Sequence, residues 1–433
     1  MGTPRESGTL GLLGRTVLVC SRLEHKMWPT PLSRLNVRRY VDGMQARRAA
    51  RVGTSTDDVR RRNLSSVLTL VHRHRSLSRA DLTRHTGLSR STTKDLVEEL
   101  VARGLVDESP AESITQVGRP SPIVRPGRRV LAVTVTPEVD AVTVGLVAMG
   151  GAVLETVRRQ TEQIPTAADT VTIAAEVIED LRAHLHAEQS VTAVGIAVPG
   201  LVHGPHSSVR HAPNLDWRDA EIGQMLSAAT GLPTHAANDA NVGAIAEHLF
   251  GNHHDARHLI YVNGGPSGVG AGFVVAGGLL AGLAGYAGEL GHTYVGGGQT
   301  CHCGSVGCLE TEVVQAPLAR LLAELDGVTE RRLPPLEVVR AERDELDRQT
   351  RSLAIALGNA VNMLNPGLIV LGGFLRVFCA YAPSVLREEL ARRSMGAPGD
   401  LVRVVPATLG ADTLAIGAAE MAFAPVLSDP AGV

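Results

Sequence analysis

The sequence predicts an α/β protein with an N-terminal winged helix-turn-helix ahead of a larger body of layered lobes, and three observations predict it. Apolar stripes at helical spacing, each with its own capping residues, succeed one another from about residue 56 to residue 104. Two short strand-like runs then flank Gly118-Arg119-Pro120. From Val130 onward, apolar strands such as VLAVTV, AVTVGLVAM, VTAVGIAVPG, HLIYV and LIVLGG alternate with helical patterns, the texture of layered α/β lobes.

At 433 residues the chain has room for two or three domains with substantial cores. The formal charge of -2 conceals an asymmetry: arginine dominates up to about Arg129 and the remainder leans acidic. That is the pattern of a nucleic-acid-binding head on a neutral or acidic body. Lys26 and Lys94 are the only lysines, an arginine bias that reads as the coding habit of a GC-rich genome rather than as binding chemistry. No uninterrupted apolar run approaches the length needed to cross a bilayer, and a cytoplasmic location is expected. Residues 1–55 lack sustained periodicity and are rich in Arg, Ser, Thr, Gly and Pro, as in a disordered basic arm.

The head is assigned to residues 56–127. Leu64, Val67, Leu68 and Val71 place one buried stripe on a first helix. Ser78 with Asp81 forms a capping box for a second helix, SRADLTRHT, which Gly87 ends by taking the left-handed conformation of a tight turn. Ser89 caps a third helix, on which Leu96, Val97, Leu100 and Val101 face inward while Arg90, Ser91, Thr92, Thr93 and Lys94 face outward. Short hydroxyl and cationic side chains at that helix N-terminus suit phosphates and base edges in a major groove. ARGLVDE and VGRPSPIVR supply two wing strands, and Arg119 at the basic turn is positioned for a minor groove. The plainer alternative is a three-helix protein-interaction module whose polar face is merely solvated; spacing, caps, wing and charge together favour operator DNA.

Three of the five cysteines, Cys301, Cys303 and Cys308, fall within eight residues, with His292 nine positions upstream and Glu289 and Glu310 at the two ends. Three thiolates and an imidazole make a tetrahedral, structural zinc site, and glycines at 296, 297, 298, 304 and 307 let the loop turn sharply enough to converge on one ion. The alternative is a set of unligated thiols in a glycine-rich loop, the small-hydrophobe role expected of Cys20 and Cys379. A disulfide fits poorly, since nothing else marks the chain as secreted.

The run from about residue 60 to 424 resembles the ROK family of repressors, open reading frames and sugar kinases, most specifically in ExGH followed by CxCGxxGCLE. The resemblance implies a two-lobed body of the actin and hexokinase type over residues 128–425. Lobe 1 would hold about 128–237 plus a C-terminal helix at 410–425, and lobe 2 about 238–409. It implies that Pro199 and Gly200 form a pocket turn, that Asn214 approaches a sugar, and that Asn238 and Asp239 hold its hydroxyls, Asp239 occupying the position of the kinase base. Glu289 and His292 match the sugar-contacting pair, His292 doubling as a zinc ligand, and Glu310 matches a further hydroxyl acceptor. The chemistry agrees, because carboxylates and amides each span neighbouring hydroxyls; taken singly, Asn238 and Asp239 would read as helix caps.

The kinase pattern fails at one place. Where family kinases carry a DxGGTK-like phosphate loop, this chain has LAVTVTPEVDAV, with Thr134 for the Asp, Thr136 and Pro137 for the two glycines, and Glu138 close by. A phosphate cradle needs backbone N–H groups, and proline has none. SGVGAG at 267–272 and LGG at 371–373 persist, which alone is weak support for nucleotide binding. The expectation is therefore a repressor without kinase activity, with a monosaccharide or sugar phosphate as effector and a homodimer or homotetramer on palindromic half-sites. The alternatives are an ATP-dependent sugar kinase with an appended DNA domain and an interaction module sensing a phosphotransfer component.

Overall fold

The computed structural model describes residues 55–110, 121–253, 256–327 and 342–432. The basic arm, the wing tip with Arg119, and Cys20 therefore lie outside the described residues. The chain divides into two compact units, residues 1–59 and residues 60–433. The described part of the first is the start of helix α1 (Thr56–His74), where the Ser55 and Asp58 side chains accept from each other's backbone N–H at 3.1 and 3.2 Å.

In the second unit the head completes itself with β1 (Leu77–Ser78), α2 (Arg79–Thr86), α3 (Arg90–Ala102), β2 (Val106–Ser109) and β3 (Ile123–Pro126). The strands form an antiparallel sheet in the order β1-β3-β2, a third strand beyond the two of the expected wing. Local chemistry sets each boundary as expected. Ser78 and Asp81 form the capping box of α2, Gly87 ends it at φ 71°, and Ser89 accepts from Thr92 N–H to start α3. Leu64, Val67, Leu68, Val71, Leu96, Val97 and Leu100 are buried, but Val101 is 37% exposed: it lies one position past the buried stripe, on the solvent side.

The body holds two five-stranded sheets. In the first, β4 (Val130–Pro137), β5 (Ala141–Ala148) and β6 (Ala152–Gln160) form an antiparallel meander, and β7 (Ser190–Val198) and β11 (Thr234–Asn238) run parallel beside β4, in the order β11-β7-β4-β5-β6. Helices α4 (Ala167–Ala183) and α5 (Ile222–Thr230) pack together on this sheet. A small sheet of β8 (Leu201–His203), β9 (Ser208–Ala212) and β10 (Trp217–Ala220) hangs from its edge.

Helix α6 (Asp239–Phe250) leads into the second sheet, ordered β14-β13-β12-β15-β16, with β12 (Leu259–Gly265), β13 (Gly268–Val275), β14 (Gly278–Leu279), β15 (Leu368–Gly373) and β16 (Arg403–Pro406). Helices α7 (Arg343–Leu364) and α8 (Pro383–Arg393) pack on each other and share this sheet's larger core. Helix α9 (Thr413–Ser428) returns to lie on β7 and β4 and against α6. The stretch Gly410–Ser428 is long and apolar enough on average to span a bilayer, but Asp412 and Glu420 interrupt it and half of it is buried within the body. Its hydropathy comes from small residues such as Ala418, Ala419 and Ala422 that pack in the core.

One apolar cluster runs without a break from head to body: Leu64, Val71, Leu96 and Val124 share it with Val130, Val147, Ala419 and Phe423. Three residues, 127–129, separate the wing base from the first body strand, so the head is seated on the body by a continuous core.

Candidate functional site

A cleft of about 370 Å³ collects every ligand residue that the resemblance implied. Pro199 and Gly200 follow β7, Asn214 follows β9, Asn238 ends β11, Asp239 begins α6, Glu289 and His292 come from the loop after β14, and Glu310 from the helical turn Leu309–Glu312 that follows that loop. The volume is within the usual range for small-molecule sites, roughly 300–1,000 Å³. His211, Asn263, His302 and Ser305 also line it. Sequence reasoning passed over these four. Only His302, between two metal-type cysteines, carried a visible signal.

The polar side chains divide their duties unevenly. Asn238 caps α6 by accepting from Asn241 N–H at 3.1 Å and donates its amide to Gly200 O at 3.1 Å, so both ends of the side chain hold backbone. Asn214 donates to Ser267 O at 2.8 Å. Asp239 accepts from the Ala240 N–H at 2.8 Å, and burial pushes its carboxyl up to about 6 despite that bond. Burial, with Asp239 and Glu310 nearby, raises Glu289 to about 7.

The cysteine loop folds as its glycines require. Gly296, Gly297, Gly304 and Gly307 take positive φ, while Gly298 does not. His292 Nδ1 lies 3.6 Å from Cys301 Sγ, and Cys303 and Cys308 Sγ are 3.7 Å apart. The four ligand atoms of His292, Cys301, Cys303 and Cys308 all lie within 4.8 Å of one another. Zinc bonds of about 2.3 Å to sulfur and 2.0 Å to nitrogen give tetrahedron edges of roughly 3.5–3.8 Å, so the donor set fits a zinc ion. His292, Cys301, His302 and Glu310 form a second, overlapping group at the same spacing. Glu310 thus faces two ways: it lines the cleft, yet its Oε1 accepts from Cys301 Sγ at 2.8 Å and lies 3.0 Å from His302 Nδ1. His292 Nε2 points toward Glu289 at 3.8 Å.

In the head, Arg90, Ser91 and Lys94 are exposed at the start of α3 and Thr92 is half-buried. Thr93 is a correction to the outward set: it is 1% exposed, donates to Ser89 O at 3.0 Å and accepts from Thr83 Oγ1 at 3.2 Å. One turn after Ser89 the helix has rotated that position into the α2–α3 contact, where a hydroxyl satisfies itself locally. Lys94 lies 3.5 Å from Glu98, one turn along.

A family model for ROK matches residues 139–424, two thirds of the chain. The chain belongs to the ROK family. A model of the IclR helix-turn-helix domain matches residues 63–110 of the same chain. The xylose repressor of Bacillus subtilis is 25% identical over 372 residues, 83% of this ROK chain and 94% of that protein. A glucokinase of Halalkalibacterium halodurans is 31% identical over 270 residues, 57% of this chain and 81% of that one. Among solved structures, a ROK family transcriptional regulator, homologous to the Escherichia coli MLC protein, is similar with a TM-score of 0.66 at 24% identity, covering 86% of this chain and 97% of its own. The fold is therefore a helix-turn-helix region followed by an actin/hexokinase-like ROK body.

The stretch from Thr134 to Glu138, expected from the sequence to stand in place of a phosphate loop, closes β4 onto β5. Thr134 is buried with its hydroxyl directed at Gly145 O, 3.4 Å away, and Pro137 pairs with Val142. Glu138 accepts from Thr143 Oγ1 at 2.7 Å and Arg158 at 2.9 Å, so its charge is compensated, which weakens the repulsion expected of it.

Proposed function

We propose that this chain is a cytoplasmic transcriptional repressor whose binding to operator DNA responds to a monosaccharide held in the cleft. The observation that carries the reading is the convergence of Asn214, Asn238, Asp239, Glu289, His292 and Glu310 on one cavity in a chain that also carries a helix-turn-helix. The similarity to the Bacillus subtilis xylose repressor over both regions supports it. Arg90, Ser91, Thr92 and Lys94, with Arg119 from the wing, would meet DNA, and paired half-sites would require a homodimer or homotetramer.

The cleft chemistry favours a neutral sugar over its phosphate. Asp239, Glu289 and Glu310 line it, and no lysine or arginine is among its described lining residues. The adjoining cavity of about 450 Å³ beside Phe374, Val313 and Ala316 shares Glu310 and likewise has no lysine or arginine among its described lining residues. A polyphosphate would meet carboxylates without a cation from the chain, and Pro137 offers no N–H, so sugar phosphorylation is not expected. Zinc on His292, Cys301, Cys303 and Cys308 would supply a fixed cross-link, holding the loop that carries Glu289 and Glu310.

A gel shift on the region upstream of its own gene tests the reading, with and without D-xylose, D-glucose, N-acetylglucosamine and N-acetylglucosamine 6-phosphate. A retarded band released by a neutral sugar is expected; no shift at low salt would favour a protein-interaction module. In parallel, ADP release above about 1 per second, an ordinary enzymatic rate, would establish a sugar kinase instead.

A further inference from the structure

Helix α6 has its two ends in different parts of the molecule. Asn238 caps it and Asp239 is its first residue, both in the cleft. Phe250 is its last, and the end of α1 from the head rests on that ring. The His72 ring meets it edge-on with centroids 5.4 Å apart, and the Arg75 guanidinium sits 4.9 Å from its centroid. The helix's 12 residues, both ends included, span about 18 Å at 1.5 Å per residue.

Helix α9 is fastened along the same rod. At Gly417 any Cβ would strike Val242 O of α6, so the two helices touch backbone to backbone. Glu247 of α6, fully buried, accepts from the backbone N–H of Thr408 at 2.7 Å and of Leu409 at 3.0 Å, just ahead of α9. Two turns beyond its start, α9 presents Glu420 to the head. His72, 1% exposed, takes the Gly150 N–H on Nδ1 at 2.9 Å, which leaves Nε2 to donate to Glu420 Oε1 at 2.8 Å. Arg75 donates to Gly150 O at 2.8 Å, tying α1 to the same body turn.

We infer that α6, clamped to α9, is the lever that carries the state of the cleft to the DNA head, and that His72 is the positioning residue that receives it. The proposal rests on the reading above, that a sugar controls DNA binding. An apolar contact tolerates sliding, whereas a buried ring with both nitrogens engaged has one register, so a shift of α6 and α9 must be followed by α1 or break these bonds. Helix α1 buttresses α2 and α3 through Leu64, Leu68 and Val71, so its movement re-aims Arg90 and Lys94.

The test uses the full chain with two apolar replacements, His72→Phe and Glu420→Leu, and one conservative one, Glu420→Gln, which keeps an acceptor for Nε2–H. Affinity for the duplex upstream of its own gene is measured with and without D-xylose and, separately, D-glucose; calorimetry gives affinity for each sugar. In the wild type an effective sugar is expected to change duplex affinity by about ten-fold or more. His72→Phe and Glu420→Leu should bind that sugar within about three-fold of wild type yet lose the change, and Glu420→Gln should recover most of it. Apolar variants that keep the wild-type ratio overturn the lever. N-acetylglucosamine is run in the same way, and a wild type unresponsive to all three sugars overturns the reading beneath it and the lever with it. If an apolar variant does not fold, hydrogen exchange of the wild type decides: sugar must alter protection at residues 64–75 as well as in α6, and a change confined to the cleft overturns the proposal.

Discussion

Asp239 concentrates the conflict between stability and recognition in one side chain. Its carboxyl sits at about 6 when folded against an ordinary 3.8, raised by burial, so the folded state retains a proton that the unfolded chain has released. The associated stability is complete below about pH 4 and is lost as pH rises through 6. Asp239→Asn should therefore stabilise the protein at pH 8 by roughly 1–3 kcal/mol, with no gain at pH 4, while weakening sugar binding. Thermal melts at the two pH values check it; an equal change in Tm at both would remove burial of the charge as the cause. Thr93 makes the opposite point: a residue of DNA-contacting type is used internally, bonded to Ser89 and Thr83.

At the scale of elements, the loop from Glu289 to Glu310 and helix α3 owe their shapes to different physics. Helix α3 is local: Ser89 accepts the Thr92 N–H, and Ser89→Ala should cost the head about 1 kcal/mol, read as a lower Tm with sugar affinity unchanged. The loop instead depends on side chains that meet only when it closes. If zinc occupies the proposed site, Cys303→Ser should lower the metal content of the purified protein, reduce Tm, and speed hydrogen exchange around Glu289 and Glu310, because a metal bound there would add its binding free energy to folding. A serine variant with full metal content and an unchanged melt would exclude Cys303 as a ligand. Chelator treatment of the wild type should reproduce the same exchange pattern.

For the whole molecule, the division of charge matters more than its sum of -2. The arginine-rich head and the acidic cleft have separate tasks, so their substitutions should separate too. Lys94→Ala is expected to weaken duplex binding across sequences and to lower the salt slope by about 1, leaving sugar affinity intact. An unchanged slope in titrations from low to moderate salt would show that Lys94 contacts no phosphate, and its pairing with Glu98 would then be its role. The continuous core between head and body, from Leu64 to Phe423, means that the head is not a tethered module. Communication between the parts must pass through packed helices.

Sequence alone determined whatever is set over a few residues. The capping box at Ser78, the left-handed Gly87, the buried stripe of α1 and the cysteine spacing all follow from contacts within one or two turns of chain. The residues at 199–200, 214, 238–239 and 289–310 were legible only as a set, through the ROK resemblance, since singly Asn238 and Asp239 read as helix caps. Tertiary structure decided how those pieces are employed. Asn238 is engaged by backbone at both ends, Glu310 is shared between cleft and thiols, and Glu138 is neutralised by an arginine 20 residues away. His72 and Glu420, 348 residues apart, meet in a buried bond that no local pattern announces. Such pairings depend on which strands lie side by side and which helices cross, and that is settled by burial summed over the whole chain.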